Sequence, residues 1–185
     1  MVTMSQLWLP VLLSAIAVFA VSSVIHMASP WHKSDYPRMS NEDAVMDALR
    51  PLAIPPGDYF FPRPTGTADM KSPEFGEKMR KGPVIVMTVM PNGPVTMTRS
   101  FIGWFLYTIA VSFVTALVAV VLPVGARPAL VFHETALLSF AGYALALWQL
   151  SIWYRRAVSI TIKSTVDGAI YAVLTGAIFA WLWPR

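Results

Sequence analysis

Four long stretches without a charged residue constrain this chain more than any other feature of its sequence. They run from the N-terminus to Pro30, from Phe101 to Val124, from Thr135 to Tyr154 and from Gly168 to Trp183. A helix needs roughly 20 mainly apolar residues, with a range of about 17–25, to cross the hydrocarbon core of a bilayer. Helices are the expected form, because lipid offers no hydrogen-bond partner to a free backbone amide. The pattern therefore predicts four transmembrane helices.

The charged residues are concentrated in one segment of the chain. Of the 24 Lys, Arg, Asp and Glu residues, 17 lie between Lys33 and Arg99, and seven lie in the other 118 positions. This distribution predicts an all-α integral membrane protein with a polar insert after its first helix. Residues 1–30, 101–124, 133–154 and 164–184 form the predicted transmembrane helices, and residues 31–100 form the extramembrane insert.

The positions of Lys and Arg predict an orientation. The first stretch has no basic region before it, and its apolar run is longer than the roughly 7–15 residues of a secretory signal core, so it is predicted to stay as a helix. The insert and the loop after the third helix then share one side of the membrane. That side carries Lys33, Arg38, Arg99, Arg155, Arg156 and Lys163, whereas the other side carries Arg127 and Arg185. The positive-inside rule predicts a cytoplasmic insert and both termini outside. The expected location is a bacterial cytoplasmic membrane.

The insert contains signals for a small α+β structure. One short helix is predicted over 41–50, with Ser40 as N-cap, and a second over 73–81, with Ser72 as N-cap. Five prolines between Pro51 and Pro64 exclude a regular helix there. Asn92-Gly93 lies between two β-prone runs, which predicts a β-hairpin over 84–98. The insert is therefore predicted to be proline-rich, with two short helices and a hairpin.

Small residues recur every fourth position in the last predicted helix. They are Gly168, Ala172, Gly176 and Ala180. Such a stripe lets helix backbones approach closely in lipid. Packing within one chain is the simpler interpretation, and a homo-oligomer or another membrane-protein partner is the alternative.

One group of residues at the end of the first helix has metal-ligand chemistry. His26, His32 and Asp35 offer two imidazoles and a carboxylate, a donor set that suits zinc, copper or iron. Their spacing matches no established motif, so anchoring at the lipid headgroups is the alternative interpretation. The chain has no cysteine, which excludes thiolate-bound metals and disulfides.

Ionisable residues within the predicted spans are few. Asp167 opens the fourth predicted helix, where Ser164 and Asp167 have the spacing of a capping box, and the carboxylate complements the helix dipole. A role in proton transfer is the alternative. No phosphate-binding loop, nucleophile elbow or zinc-protease helix occurs in the sequence.

These features predict a non-catalytic accessory or scaffold subunit in a lipid bilayer. The aromatic segment Tyr59, Phe60 and Phe61 is the predicted docking surface, because exposed aromatic residues often dominate interfaces. The alternative is a small transporter or metal-binding membrane protein that uses His26, His32 and Asp35 at the membrane edge, with a transition metal as cofactor. A membrane enzyme with His32 and Asp35 as an acid–base pair is a third hypothesis. The dispersed net charge of +4 argues against nucleic acid as a partner.

Overall fold

The computed structural model describes residues 1–94 and 96–185, and 66% of the chain is helical. The chain divides into two compact units. Unit 1 comprises Met1–Pro37 and Thr96–Arg185, and unit 2 comprises Arg38–Val95.

Unit 1 is a bundle of apolar helices. Its helices are α1 (Trp8–Ser23), α5 (Thr98–Ala119), α6 (Pro128–Ala144), α7 (Trp148–Tyr154) and α8 (Val158–Trp181). One π-helical turn, Val24–Ala28, extends α1, and a 3-10 turn joins α6 to α7. Four continuous spans result, of 21, 22, 27 and 24 residues. The prediction of four helices long and apolar enough to cross a membrane is confirmed.

The interior of unit 1 is rich in small hydroxyl side chains, whereas large apolar side chains lie on its outside. Thr135, Ser139 and Thr175 are fully buried, and each donates its hydroxyl hydrogen to a backbone carbonyl one turn earlier at 2.7–2.9 Å. Leu106 and Leu137 are more than half exposed. Soluble bundles show the opposite distribution, since water drives their large apolar residues inward.

Helices α6 and α8 make the closest approach in the bundle, and glycines permit it. A Cβ atom on Gly168 would lie 2.9 Å from Cβ of Ala144, and one on Gly176 would lie 2.9 Å from the carbonyl oxygen of Phe132. Ala172 between them is buried. The small-residue stripe of α8 therefore faces α6 of the same chain.

Unit 2 contains a two-stranded antiparallel sheet and three short helices. The strands are β1 (Gly57–Phe61) and β2 (Ile85–Val89), with Tyr59 opposite Met87. The helices are α2 (Glu42–Leu49), α3 (Thr67–Met70) and α4 (Pro73–Lys81). The second predicted helix is confirmed with its cap, because Ser72 Oγ accepts a hydrogen bond from the Phe75 amide at 3.1 Å.

The predicted hairpin is wrong in its pairing. Strand β2 forms at the start of the predicted segment, but its partner is β1, about 30 residues earlier in the chain. Pro91 and Pro94 flank the Asn92-Gly93 turn, and each lacks the amide that a ladder needs. Residue 95, in the predicted second strand, lies outside the described residues.

The predicted capping role of Asp167 is also wrong. Helix α8 begins at Val158, so Asp167 lies more than two turns inside it and is 3% exposed. Ser164 is helical too, and its hydroxyl donates to the carbonyl of Ile160 at 3.0 Å. The polar residues before Asp167 belong to the helix rather than to its cap, and Lys163 among them is paired with one anion, Asp35.

Candidate functional site

The end of α1 places His26 in an unusual turn. The Ser29 amide donates to the carbonyl of Val24 at 3.1 Å, five residues back, which makes Val24–Ala28 a π-helical turn. Ser29 Oγ also donates to the carbonyl of Ile25, at 2.5 Å. Isolated π-helical turns occur frequently at functional sites, because they redirect side chains that a regular helix would space evenly.

Two tight turns follow and fold the chain back on itself. The Lys33 amide donates to the carbonyl of Pro30 at 3.1 Å, and the Asp35 amide donates to the carbonyl of His32 at 3.0 Å. Because of these turns, three side chains of the short segment 31–35 contact α8: Trp31, His32 and Asp35.

His32 lies between two carboxylates. Its Nδ1 is 2.7 Å from Asp35 Oδ2, and its Nε2 is 2.8 Å from Asp167 Oδ2. The other oxygen of Asp167 accepts a hydrogen bond from the Trp31 indole at 3.1 Å. The two carboxylate side chains are 8% and 4% exposed, so His32 joins two nearly buried acids.

Lys163 binds the outer carboxylate of this network, Asp35. Its ammonium group donates to Asp35 Oδ1 at 2.7 Å and to Ser34 Oγ at 2.8 Å. The hydrogen bond from Lys163, with a smaller contribution from His32, lowers the pKa of Asp35 below its ordinary value. Asp35 is therefore an anion at neutral pH, and it holds the imidazole of His32 in a fixed orientation.

His26 and His32 are brought together, as the metal hypothesis requires. Their rings stack with centroids 4.2 Å apart and an angle of 16° between planes. One ligand atom each from His26, His32 and Asp167 lies within 4.8 Å of the other two. Asp35, the predicted carboxylate ligand, stands on the far side of His32 instead.

Sequence reasoning therefore missed Asp167 as a member of this site. It lies 135 residues from His32 in the chain, and its spacing to Ser164 resembles a helix cap. The available signal was its position in a long apolar helix, since ionisable residues inside such segments are rare and mark function.

A cavity of about 540 Å³ opens beside the three-residue cluster. His26 and Asp167 form part of its wall, and four aromatic residues form another part. The aromatic residues are Trp104, Tyr107, Tyr143 and Tyr171, and the remaining lining residues are Ser100, Gly103, Leu147 and Ser164. Tyr171 connects the two parts, because its hydroxyl lies 3.5 Å from His26 Nε2.

The predicted docking residues lie in β1 of unit 2. Exposure alternates along the strand, so that Phe60 is 42% exposed while Tyr59 and Phe61 are half-buried. The Tyr59 hydroxyl donates to the carbonyl of Pro55 at 2.9 Å. Of the three predicted docking side chains, Phe60 alone is exposed.

No protein-family model, curated protein or solved structure matches this chain.

Proposed function

We propose that this protein is an integral membrane protein that binds a divalent transition metal ion through His26, His32 and Asp167. The observation that carries the proposal is the convergence of two imidazoles and one buried carboxylate within 4.8 Å. The site joins the π-helical turn at the end of α1, the turn that follows it, and Asp167 more than two turns inside α8.

The membrane location is supported by the arrangement of polar and apolar side chains in unit 1. Ten polar or charged residues are buried, while leucine, valine and isoleucine side chains cover the outside of the four spans. Water would disfavour so large an apolar surface, whereas lipid solvates it and leaves small residues to pack the helices. The cytoplasmic position of the insert stays a prediction from the Lys and Arg distribution.

The donor set supports a metal ion, and small movements would bring its atoms to metal-binding distances. Zinc takes imidazole nitrogen and carboxylate oxygen at about 2.0–2.2 Å in tetrahedral geometry, so its ligand atoms lie about 3.3 Å apart. In the structure, His32 Nε2 and Asp167 Oδ2 are 2.8 Å apart. Metal binding requires this pair to separate by a few tenths of an ångström and His26 to move inward.

The contact of Asp35 with His32 also supports metal binding, although Asp35 is not itself a proposed ligand. Metal-binding histidines usually donate the second ring N–H to a carboxylate, which fixes the tautomer and strengthens the ligand. The contact of 2.7 Å between His32 Nδ1 and Asp35 Oδ2 has this arrangement. Three protein ligands leave a fourth position open, and the neighbouring cavity gives that position access to a small molecule.

Metal analysis of the purified protein tests the proposal. We expect zinc, added to chelator-treated protein in detergent, to bind at one equivalent and to raise the unfolding temperature. Asp167→Asn removes the ligand charge but keeps an acceptor for Trp31, so this variant is expected to fold and to bind zinc at least about tenfold more weakly.

Trp31→Phe is the matched control, because it removes one hydrogen bond to Asp167 and leaves all three ligands. It is expected to bind zinc nearly as well as the natural protein. Equal zinc affinity in the natural protein and in Asp167→Asn would contradict the proposed ligand set.

The accessory-subunit hypothesis stays a prediction. Because the small-residue stripe of α8 packs on α6, a second membrane protein would have to contact other faces of the bundle. Co-purification from native membranes in mild detergent tests it, and a lone monomer would refute it.

A further inference from the structure

Four aromatic residues line the cavity, and we call them the aromatic box: Trp104, Tyr107, Tyr143 and Tyr171. Trp104 and Tyr107 are stacked, with centroids 5.5 Å apart and an interplanar angle of 27°. Tyr143 and Tyr171 stand crosswise to each other at 77°, and Tyr171 meets Trp104 at 62°. The rings that line the cavity therefore stand at several angles to one another.

Hydrogen bonds hold two of these rings in place. The Trp104 indole donates to Ser22 Oγ on α1 at 2.7 Å, and the Tyr107 hydroxyl donates to the carbonyl of Gly142 on α6 at 2.6 Å. These bonds tie α5 to both neighbouring helices. The box is thus formed before a ligand arrives, which lowers the entropic cost of binding.

The charge of the lining selects among ligands. Asp167 is the one Lys, Arg, Asp or Glu residue among the lining residues. A single carboxylate in an aromatic wall disfavours an anion and attracts a cation. Tyr and Trp faces attract cations as well, and they are the usual recognition surface for quaternary ammonium groups.

We infer that this cavity binds an organic ammonium ion, with Trp104, Tyr107, Tyr143 and Tyr171 around its alkyl groups and Asp167 as counter-ion. A volume of about 540 Å³ accommodates a choline-sized group. The ammonium group belongs either to a lipid headgroup or to a free amine. This inference goes beyond the proposed metal function. The two sites share His26 and Asp167, which are proposed metal ligands and also line the cavity.

Calorimetric titration of choline into chelator-treated protein tests the inference. We expect saturable binding of choline. Its neutral isostere, 3,3-dimethyl-1-butanol, is expected to bind at least about tenfold more weakly, because it lacks the cation–π attraction. Equal binding of the two compounds would show a merely apolar cavity, and absence of choline binding would equally overturn the inference.

Variants of Tyr107 locate the site. Tyr107 is 42% exposed, so its substitution is compatible with folding. Tyr107→Leu removes one ring face and is expected to weaken choline binding about tenfold, whereas Tyr107→Phe keeps the face and restores most of the affinity. Trp153→Leu removes an aromatic side chain that is 77% exposed and outside the cavity. If Tyr107→Leu binds choline as tightly as Trp153→Leu does, the inference is wrong.

His32→Gln separates this inference from the metal proposal. His32 is a proposed metal ligand but does not line the cavity. Loss of zinc binding with retained choline binding is expected, and loss of choline binding in this variant would contradict an independent cavity site.

Lipid discs identify the source of the ammonium group. The protein is placed in discs of equal phosphatidylcholine and phosphatidylglycerol content, and the lipid retained after detergent extraction is measured. Phosphatidylcholine enrichment that Tyr107→Leu abolishes supports a headgroup ligand, and choline binding without enrichment supports a free amine. If choline does not bind, the inference is refuted, whichever lipid is retained.

Discussion

The substitution Gly176→Ala tests the packing of α8 on α6 directly. The added Cβ would lie 2.9 Å from the Phe132 carbonyl oxygen, 2.9 Å from Ala136 Cβ and 3.0 Å from Phe132 Cδ2. Because carbon atoms in contact prefer about 3.5–4.0 Å, α8 must move by roughly half an ångström or more. Overpacking of this type costs about 1–3 kcal/mol.

Gly103→Ala is the matched control, because a Cβ there meets nothing within 4 Å. Both substitutions gain the same helix propensity of up to about 1 kcal/mol, so their difference isolates the steric cost. We expect Gly176→Ala to have a free energy of unfolding about 1–3 kcal/mol below that of Gly103→Ala. The assay is reversible unfolding by SDS in mixed micelles, together with the mass of the detergent-solubilised protein.

Equal stability of the two variants would refute the close approach of α6 and α8. A change of oligomeric state in Gly176→Ala without loss of stability would instead place the small-residue stripe between chains.

Three further predictions concern the site and the insert. Asp167→Ala removes the hydrogen-bond acceptor of Trp31 and the partner of His32. In the same SDS assay it is expected to lower the free energy of unfolding by about 3 kcal/mol, and Asp167→Asn by about 1 kcal/mol or less. Equal losses in the two variants would show that the Asn side chain does not replace the carboxylate as partner of Trp31 and His32. The backbone amide of Thr65 donates to Asp69 and lowers the pKa of that carboxyl. The turn that Asp69 stabilises is therefore expected to be intact above the ordinary aspartate pKa of 3.8, and to weaken as pH falls through the lower pKa of Asp69 in the folded protein. A carboxyl-carbon NMR titration that gives an ordinary pKa for Asp69 would contradict this. Saturating zinc is expected to weaken choline binding, and choline to weaken zinc binding by the same factor, because both ligands draw on Asp167. Additive binding in calorimetry would show that they do not share it.

Much of the helical framework follows from the sequence, because an apolar run of about 20 residues without charge is typical of a membrane-spanning helix. The helix boundaries are harder to predict. Sequence reasoning places the start of the fourth helix near Ser164, since Lys163 and Arg155 are typical of a polar loop. The helix begins at Val158, and Lys163 lies inside it with its ammonium group 2.7 Å from Asp35, a partner 128 positions away.

The candidate site shows the same limit. The sequence indicates His26 and His32, and the structure stacks their rings. The sequence indicates Asp35 as the third ligand, because Asp35 lies only three positions after His32. The carboxylate that faces the open side of His32 is Asp167, which only tertiary folding brings there. Local periodicity carries no information about such a contact.

The prediction of the sheet failed for a related reason. Asn92-Gly93 is a strong local turn signal, but the strand Ile85–Val89 pairs with Gly57–Phe61 across an intervening pair of helices. Cross-strand contacts such as that of Thr88 Oγ1 with Asp58 Oδ1, at 2.6 Å, have no sequence signature of their own.

The metal content of the protein purified without chelator shows whether His26, His32 and Asp167 hold a metal ion. Elemental analysis of the natural protein and of the His26→Gln/His32→Gln double variant, both in detergent and at equal concentration, gives the ratio of metal to protein. We expect close to one transition metal ion per chain in the natural protein, and a ratio near background in the double variant. Background metal in both proteins, with no rise in unfolding temperature when zinc is added, would contradict it. His26, His32 and Asp167 would then form a metal-free network that joins the end of α1 to α8.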